Sequence, residues 1–159
     1  MDDLWIEAFR YNKWANLLLL DVCGSLREEQ LQLTAPGTYG TVAATWQHLV
    51  GAEQRYLRRF GHGGEGRLED DQWPGIDALR ELASTTGDQL IEAASRVKSE
   101  DTIEDKFHGR LHLGVVIIQA LHHGNDHRTN ICSILGHHDI SYGDLDVWAY
   151  GLATGASES

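Results

Sequence analysis

Helical periodicity constrains this chain more than any other feature. Apolar residues recur three and four apart over four long segments, and strand-like alternation is nearly absent. In the first segment Leu4, Ala8, Tyr11, Ala15, Leu18 and Val22 form one face of a predicted helix ending near Gly24. Thr41 is a suitable N-cap for a second helix, because its hydroxyl can accept from the first free amides. That helix packs through Val42, Thr45, Leu49, Ala52, Tyr56 and Phe60. A third helix places Leu79, Ala83, Thr86, Leu90, Ala94 and Val97 on one side. The fourth is expected over residues 111–135, stopping at Gly136, a natural C′ residue. A short terminal helix over 145–152 carries Trp148 and Tyr150, and residues 155–159 are expected to fray.

The expected architecture is therefore all-α: one domain over residues 1–154, a four-helix bundle with an added short C-terminal helix. The connections after the first two helices are long enough for crossovers. Residues 61–75 hold Pro74 and five glycines, which predicts a mobile connection. Residues 99–110 are polar and irregular, with a short extended piece near Ile103.

A chain of 159 residues buries roughly two-thirds of its unfolded surface, so it needs no metal or disulfide simply to fold. A metal here would serve chemistry. Thirteen Lys and Arg against 24 Asp and Glu give a net charge of −11. That argues against nucleic acid or anionic membranes as partners, which require a basic face, and for a small-molecule substrate. No apolar run approaches the ~18 residues of a membrane span. The opening Met1-Asp2-Asp3 lacks a basic n-region, and Cys23 and Cys132 lack CxxC partners. A cytoplasmic protein with two buried free thiols is expected.

Nine histidines remain to be explained. The fourth helix's apolar stripe runs Leu113, Val116, Ala120, then His123 and His127, then Ile131 and Ile134. Two histidines thus stand where core residues belong, one turn apart on one face, a spacing that lets both bind one metal ion. A metal offsets the desolvation of two buried imidazoles. His48 borders the buried face of the second helix and supplies a third ligand, and three neutral imidazoles leave coordination positions open. Zinc, nickel, copper and iron all suit such a set. No glutamate follows His123 directly, and no Glu-x-x-His pair occurs, which sets aside zincin proteases and ferritin-like di-iron bundles. His137 and His138 suit the negative end of a helix. His62 falls in the glycine-rich connection, and His122 lies one residue off the stripe. His108 and His112 flank the start of the fourth helix and would line a pocket mouth.

Three segments together resemble the DinB (damage-inducible) family: Tyr11-Asn12-Lys13-Trp14-Ala15-Asn16; Trp46-Gln47-His48-Leu49-Val50-Gly51-Ala52-Glu53; and His122-His123-Gly124-Asn125-Asp126-His127-Arg128. The resemblance covers almost the whole chain, although Asp126 replaces a second histidine and Thr129-Asn130 replaces the family's Gly-Gln. It implies a crossover-connected bundle, often a homodimer. It also implies a divalent metal, commonly zinc or nickel, on His48, His123 and His127. Some relatives are similar to transferases that use low-molecular-weight thiols, and others to metal-dependent hydrolases. The resemblance leaves two alternatives, a metalloenzyme activating a thiol or water and a non-catalytic metal-binding stress-response dimer. Asn16, Asn125 and Asp126 are candidates to orient the imidazoles. No catalytic residue is assigned, with Glu53 and Asp126 as candidates. Glu53 lies ~140° around the helix from His48 and reads more simply as a solvated or ion-paired side chain. Trp5, Trp14 and Trp148 are the kind of residues interfaces use, though tryptophan in a helix is more often core.

Overall fold

The structure, a computed structural model, describes residues 3–62, 68 and 72–157. The elements are α1 (Asp3–Gly24), α2 (Glu28–Leu31), α3 (Val42–Arg59), α4 (Ile76–Arg96), β1 (Thr102–Asp105), β2 (Gly109–His112), α5 (Leu113–His137) and α6 (Val147–Thr154). The four long helices form the bundle. α1 packs mainly on α4 and α5, and α3 packs on the same two. α1 and α3 are therefore diagonal, as are α4 and α5. The connections after α1 and after α4 cross the bundle, whereas α3 and α4 are neighbours despite the long connection between them. Most of that connection, which the sequence marks as mobile, lies outside the described residues.

Local chemistry explains the boundaries. The Thr41 hydroxyl accepts from the Ala44 amide at 3.0 Å and starts α3 as expected. Asp146 does the same for α6 through the Ala149 amide at 2.8 Å. α5 runs through Gly136 and ends at His137, two residues later than predicted. The left-handed residue is Asp139 at φ 57°, a conformation a short polar side chain tolerates, and the Ile140 amide closes onto Leu135 O at 2.9 Å. The extended piece at Ile103 has a partner the sequence did not reveal. β1 and β2 pair antiparallel with Ile103 opposite Leu111, and Gly109 (φ 67°) takes the turn. Asp105 holds that turn by accepting from the Phe107 and His108 amides, and Arg59 of α3 donates to its other oxygen at 2.8 Å. After α6, the Ala156 and Ser157 amides turn back onto Gly151 O.

Two apolar clusters fill the bundle. Leu19, Trp46, Leu49, Leu79, Ile131 and Leu135 are central to one, and Phe9, Leu57, Leu90, Ile117 and Ala120 to the other. Full burial of each large aliphatic side chain contributes about 1.5–3 kcal/mol. Between the clusters, at mid-height, lies a buried polar layer: Asn12, Asn16, Glu53, Thr86, His127 and Arg128. This layer corrects the predicted face of α1. Leu4 is 73% exposed, and of the predicted stripe only Ala15 is fully buried. The inward face is instead Phe9, Asn12, Asn16, Leu19, Leu20 and Cys23. A hydrophobicity pattern skips asparagines, so it misplaced the stripe where two of them are core residues.

Candidate metal centre

His48 on α3 meets His123 and His127 on α5 in the polar layer. Each offers a ring nitrogen, and the three donor atoms lie within 4.8 Å of one another, a group that could hold a metal ion. His48 Nε2 and His123 Nε2 are 3.1 Å apart. Two nitrogens bound at ~2.0–2.1 Å to one tetrahedral ion stand roughly 3.3 Å apart, so little movement separates this pair from ligation. His127 is 6% exposed, and the other two are half-buried.

Burial pushes the His48 imidazole down to about 4 and that of His123 to about 3, with His127 and Arg55 adding repulsion in both cases. Burial also lowers His127. All three are therefore neutral at pH 7, the form that binds metal. The Nδ1 atoms of His123 and His127 are buried without a hydrogen-bond partner among the described residues.

Aromatic rings surround the trio. Tyr39, in the loop before α3, stacks on His48 (centroids 4.4 Å apart, 24° between planes) and meets His127 edge-on at 4.9 Å. Tyr56, two turns beyond His48 on α3, meets His123 edge-on at 5.7 Å. Tyr56 also lines a cavity of about 390 Å³ with Arg55, Arg59, His108, Val116 and Gln119. A larger groove of about 860 Å³ shares Arg55 and Arg59 and extends along the hairpin. His108 thus lines the cavity as its sequence position suggested, held by Asp105 at 2.8 Å. His112 turns to Glu100 O instead. His122, directly before His123, adds repulsion to it, and His138 bonds to Thr34 O at 2.9 Å.

Behind the trio lies a network whose whole extent the sequence did not disclose. Glu53 is fully buried, which corrects its solvated reading. Its Oε1 accepts from Asn12 Nδ2 at 2.7 Å and Asn16 Nδ2 at 2.9 Å. Arg128 Nη1 donates to the Oδ1 atoms of both asparagines at 2.7 Å. Two amides thus bridge a buried carboxylate to a buried guanidinium. Burial raises the Glu53 carboxyl above its usual range, opposed by Asn12, Asn16 and Arg128. Asn16 therefore serves this network, while Asn125 and Asp126 are exposed. Among the described residues, none of these three hydrogen-bonds to an imidazole of the trio. Tyr39 escaped the sequence reading altogether. Its sole signal was an aromatic residue between Gly37 and Gly40, which no spacing rule ties to a histidine.

A model of the DinB family matches residues 1–138, a span containing the entire network and trio. The chain belongs to the DinB family. Its fold is similar to the crystal structure of a DinB-like protein from Bacillus cereus ATCC 10987, with a TM-score of 0.71 at 22% identity. The match covers 88% of this chain and 94% of that one. Comparison with curated proteins finds no match. In this DinB chain, among the described residues, no helix is long and apolar enough to cross a membrane.

Proposed function

We propose that this DinB protein is a metalloenzyme. His48, His123 and His127 hold a divalent zinc or nickel ion, and a low-molecular-weight thiol or water reacts there with a small molecule, by transfer or hydrolysis. The observation that carries this is the convergence of three uncharged imidazoles, one of which, His123, packs against Tyr56 of a cavity wall. A sealed trio would suit storage or structure instead. When bound, the ion supplies Lewis acidity that lowers the pKa of a thiol or water in an open position. The chain does the rest. Burial keeps the imidazoles unprotonated, the apolar wall of Val115 and Val116 limits water, and His108 and Gln119 offer polar contacts to a substrate. Glu53 and Arg128 neutralise each other through Asn12 and Asn16, so we assign them to holding the helices rather than to proton transfer. Asp126, exposed on α5, hydrogen-bonds to no imidazole of the trio among the described residues, and its charge opposes the lowering of His127 by burial, so we assign it no proton transfer.

The test begins with zinc and nickel content after replenishment, in the wild type and in His48→Ala and His123→Ala. Equal, negligible metal in all three overturns the proposal. Turnover with thiols plus electrophiles, and with esters and amides, then assigns the reaction, provided that chelation abolishes it and one metal restores it. A second reading, a metal-binding homodimer without catalysis, is favoured by the outer face of α6. Val147, Trp148 and Leu152 are 59%, 77% and 53% exposed there. Sedimentation of the wild type and Trp148→Glu tests it, and a monomeric wild type refutes it.

A further inference from the structure

Resting on the metal-site reading above, we infer that Tyr39 is the positioning residue of the trio, an aromatic clamp at a site where His123 and His127 lack the usual hydrogen bonds among the described residues. A ligating imidazole is ordinarily oriented by the hydrogen bond its second nitrogen makes. Here the Nδ1 atoms of His123 and His127 are buried and have no such partner among the described residues. The torsion that aims an imidazole ring is broad and roughly two-fold, so something else must select one orientation. Ring contacts do. Tyr39 lies flat on His48 and places its ring against His127, touching ligands from both helices at once. Tyr56 supports His123.

The clamp is itself anchored to the ligand helix. The Tyr39 amide donates to Asn130 Oδ1 at 2.9 Å, and Asn130 Nδ2 donates to Asp126 O at 2.8 Å. Asn130 sits three residues beyond His127, so the loop is tied to α5 within a turn of the ligand it steadies. On the other side, the turn is held by the Thr38 hydroxyl bonded to Ala35 O at 2.8 Å, and Thr41 caps α3 directly after it. Tyr39 packs on His48 and His127, while Tyr56, which packs on His123, also lines the cavity.

Titration with Co²⁺ and Zn²⁺ of the full chain and its Tyr39→Ala, Tyr39→Phe and Asn130→Ala variants tests this. Tyr39→Ala is expected to weaken Zn²⁺ binding on the order of ten- to a hundredfold, the range for losing a group that orients a ligating imidazole. It should speed Zn²⁺ release to a chelator and change the visible absorption of the Co²⁺ form. Tyr39→Phe keeps the stack and should stay within about twofold of the wild type. Asn130→Ala should release Zn²⁺ faster than the wild type and more slowly than Tyr39→Ala. The metal-free unfolding midpoint should move little, because Tyr39 is 53% exposed, and a purely structural role would not alter the Co²⁺ spectrum. Wild-type affinity, release rate and Co²⁺ spectrum in Tyr39→Ala overturn the inference. So does a Tyr39→Phe variant as impaired as Tyr39→Ala, which would make the hydroxyl the acting group. A wild type that takes up neither ion overturns the metal-site reading itself, an outcome distinct from unchanged variants of a binding wild type.

Discussion

Replacing Gly124 by alanine pits helix propensity against the buried network, and the structure decides the sign. Alanine in a helix interior is favoured over glycine by about 1 kcal/mol. A Cβ at Gly124, however, would lie 2.5 Å from Asn12 Oδ1 and 3.2 Å from Arg128 Nη1. A carbon and an oxygen settle at roughly 3.3–3.6 Å, so Asn12 must retreat by about 1 Å. It has no room, being 2% exposed and bonded at 2.7 Å to both Arg128 and Glu53. A shift of that size breaks the Arg128 bond and bends the Glu53 bond, and hydrogen bonds to charged groups contribute about 1.5–3 kcal/mol each. After the propensity gain, the net destabilisation is about 2–5 kcal/mol. At roughly 2–4 °C per kcal/mol for a chain of this size, the unfolding midpoint falls by about 4–20 °C. Gly136→Ala on the same helix is the control. It is exposed, and its Cβ would meet only Tyr142 Cε1 at 3.6 Å, an ordinary contact. It should gain a few tenths to about 1 kcal/mol. Paired urea and thermal unfolding of the two variants checks the difference. If Gly124→Ala is as stable as Gly136→Ala, the contact between α1 and α5 through Asn12 is wrong.

Three further outcomes follow. Glu53→Ala leaves the Arg128 charge buried without its counter-ion and should cost about 3–5 kcal/mol in urea unfolding, a loss under 1 kcal/mol refuting the network. In the metal-free protein the trio's folded pKa values lie below the ordinary imidazole value of 6.5, so the unfolded chain binds protons first on acidification. Stability is then full above pH 6.5 and falls toward pH 4, at about 1.4 kcal/mol per pH unit per proton taken up. His48→Asn should flatten that slope, as urea unfolding across pH will show. Zinc at a hundredfold excess over its Kd should stabilise the fold by about 2.7 kcal/mol. Differential scanning should register a rise of roughly 5–10 °C, absent in His127→Ala.

Much of the site was legible because it obeys a period. His123 and His127 continue an apolar stripe four residues apart, which puts two imidazoles able to share a metal ion where core residues belong. His48 borders a stripe in the same way. The buried face of α1 was misread because Asn12 and Asn16 look polar in one dimension and become core residues only through Glu53 and Arg128. Gly136 looked like a helix stop, but a helix ends where the chain must turn, and packing of Ile140 against the core placed that turn at Asp139.

The sequence by itself determined the four amphipathic helices, the N-cap at Thr41, the end of the first helix near Gly24, and the choice of three histidines out of nine. These depend on neighbours a turn or less away along the chain. Tertiary structure alone decided which helices are diagonal, which polar residues neutralise each other in the core, and which aromatic rings hold the imidazoles. Tyr39 and Asn130 are 91 residues apart, as Asn12 and Arg128 are 116 apart. Contacts at such separations arise from packing geometry, which no local spacing encodes.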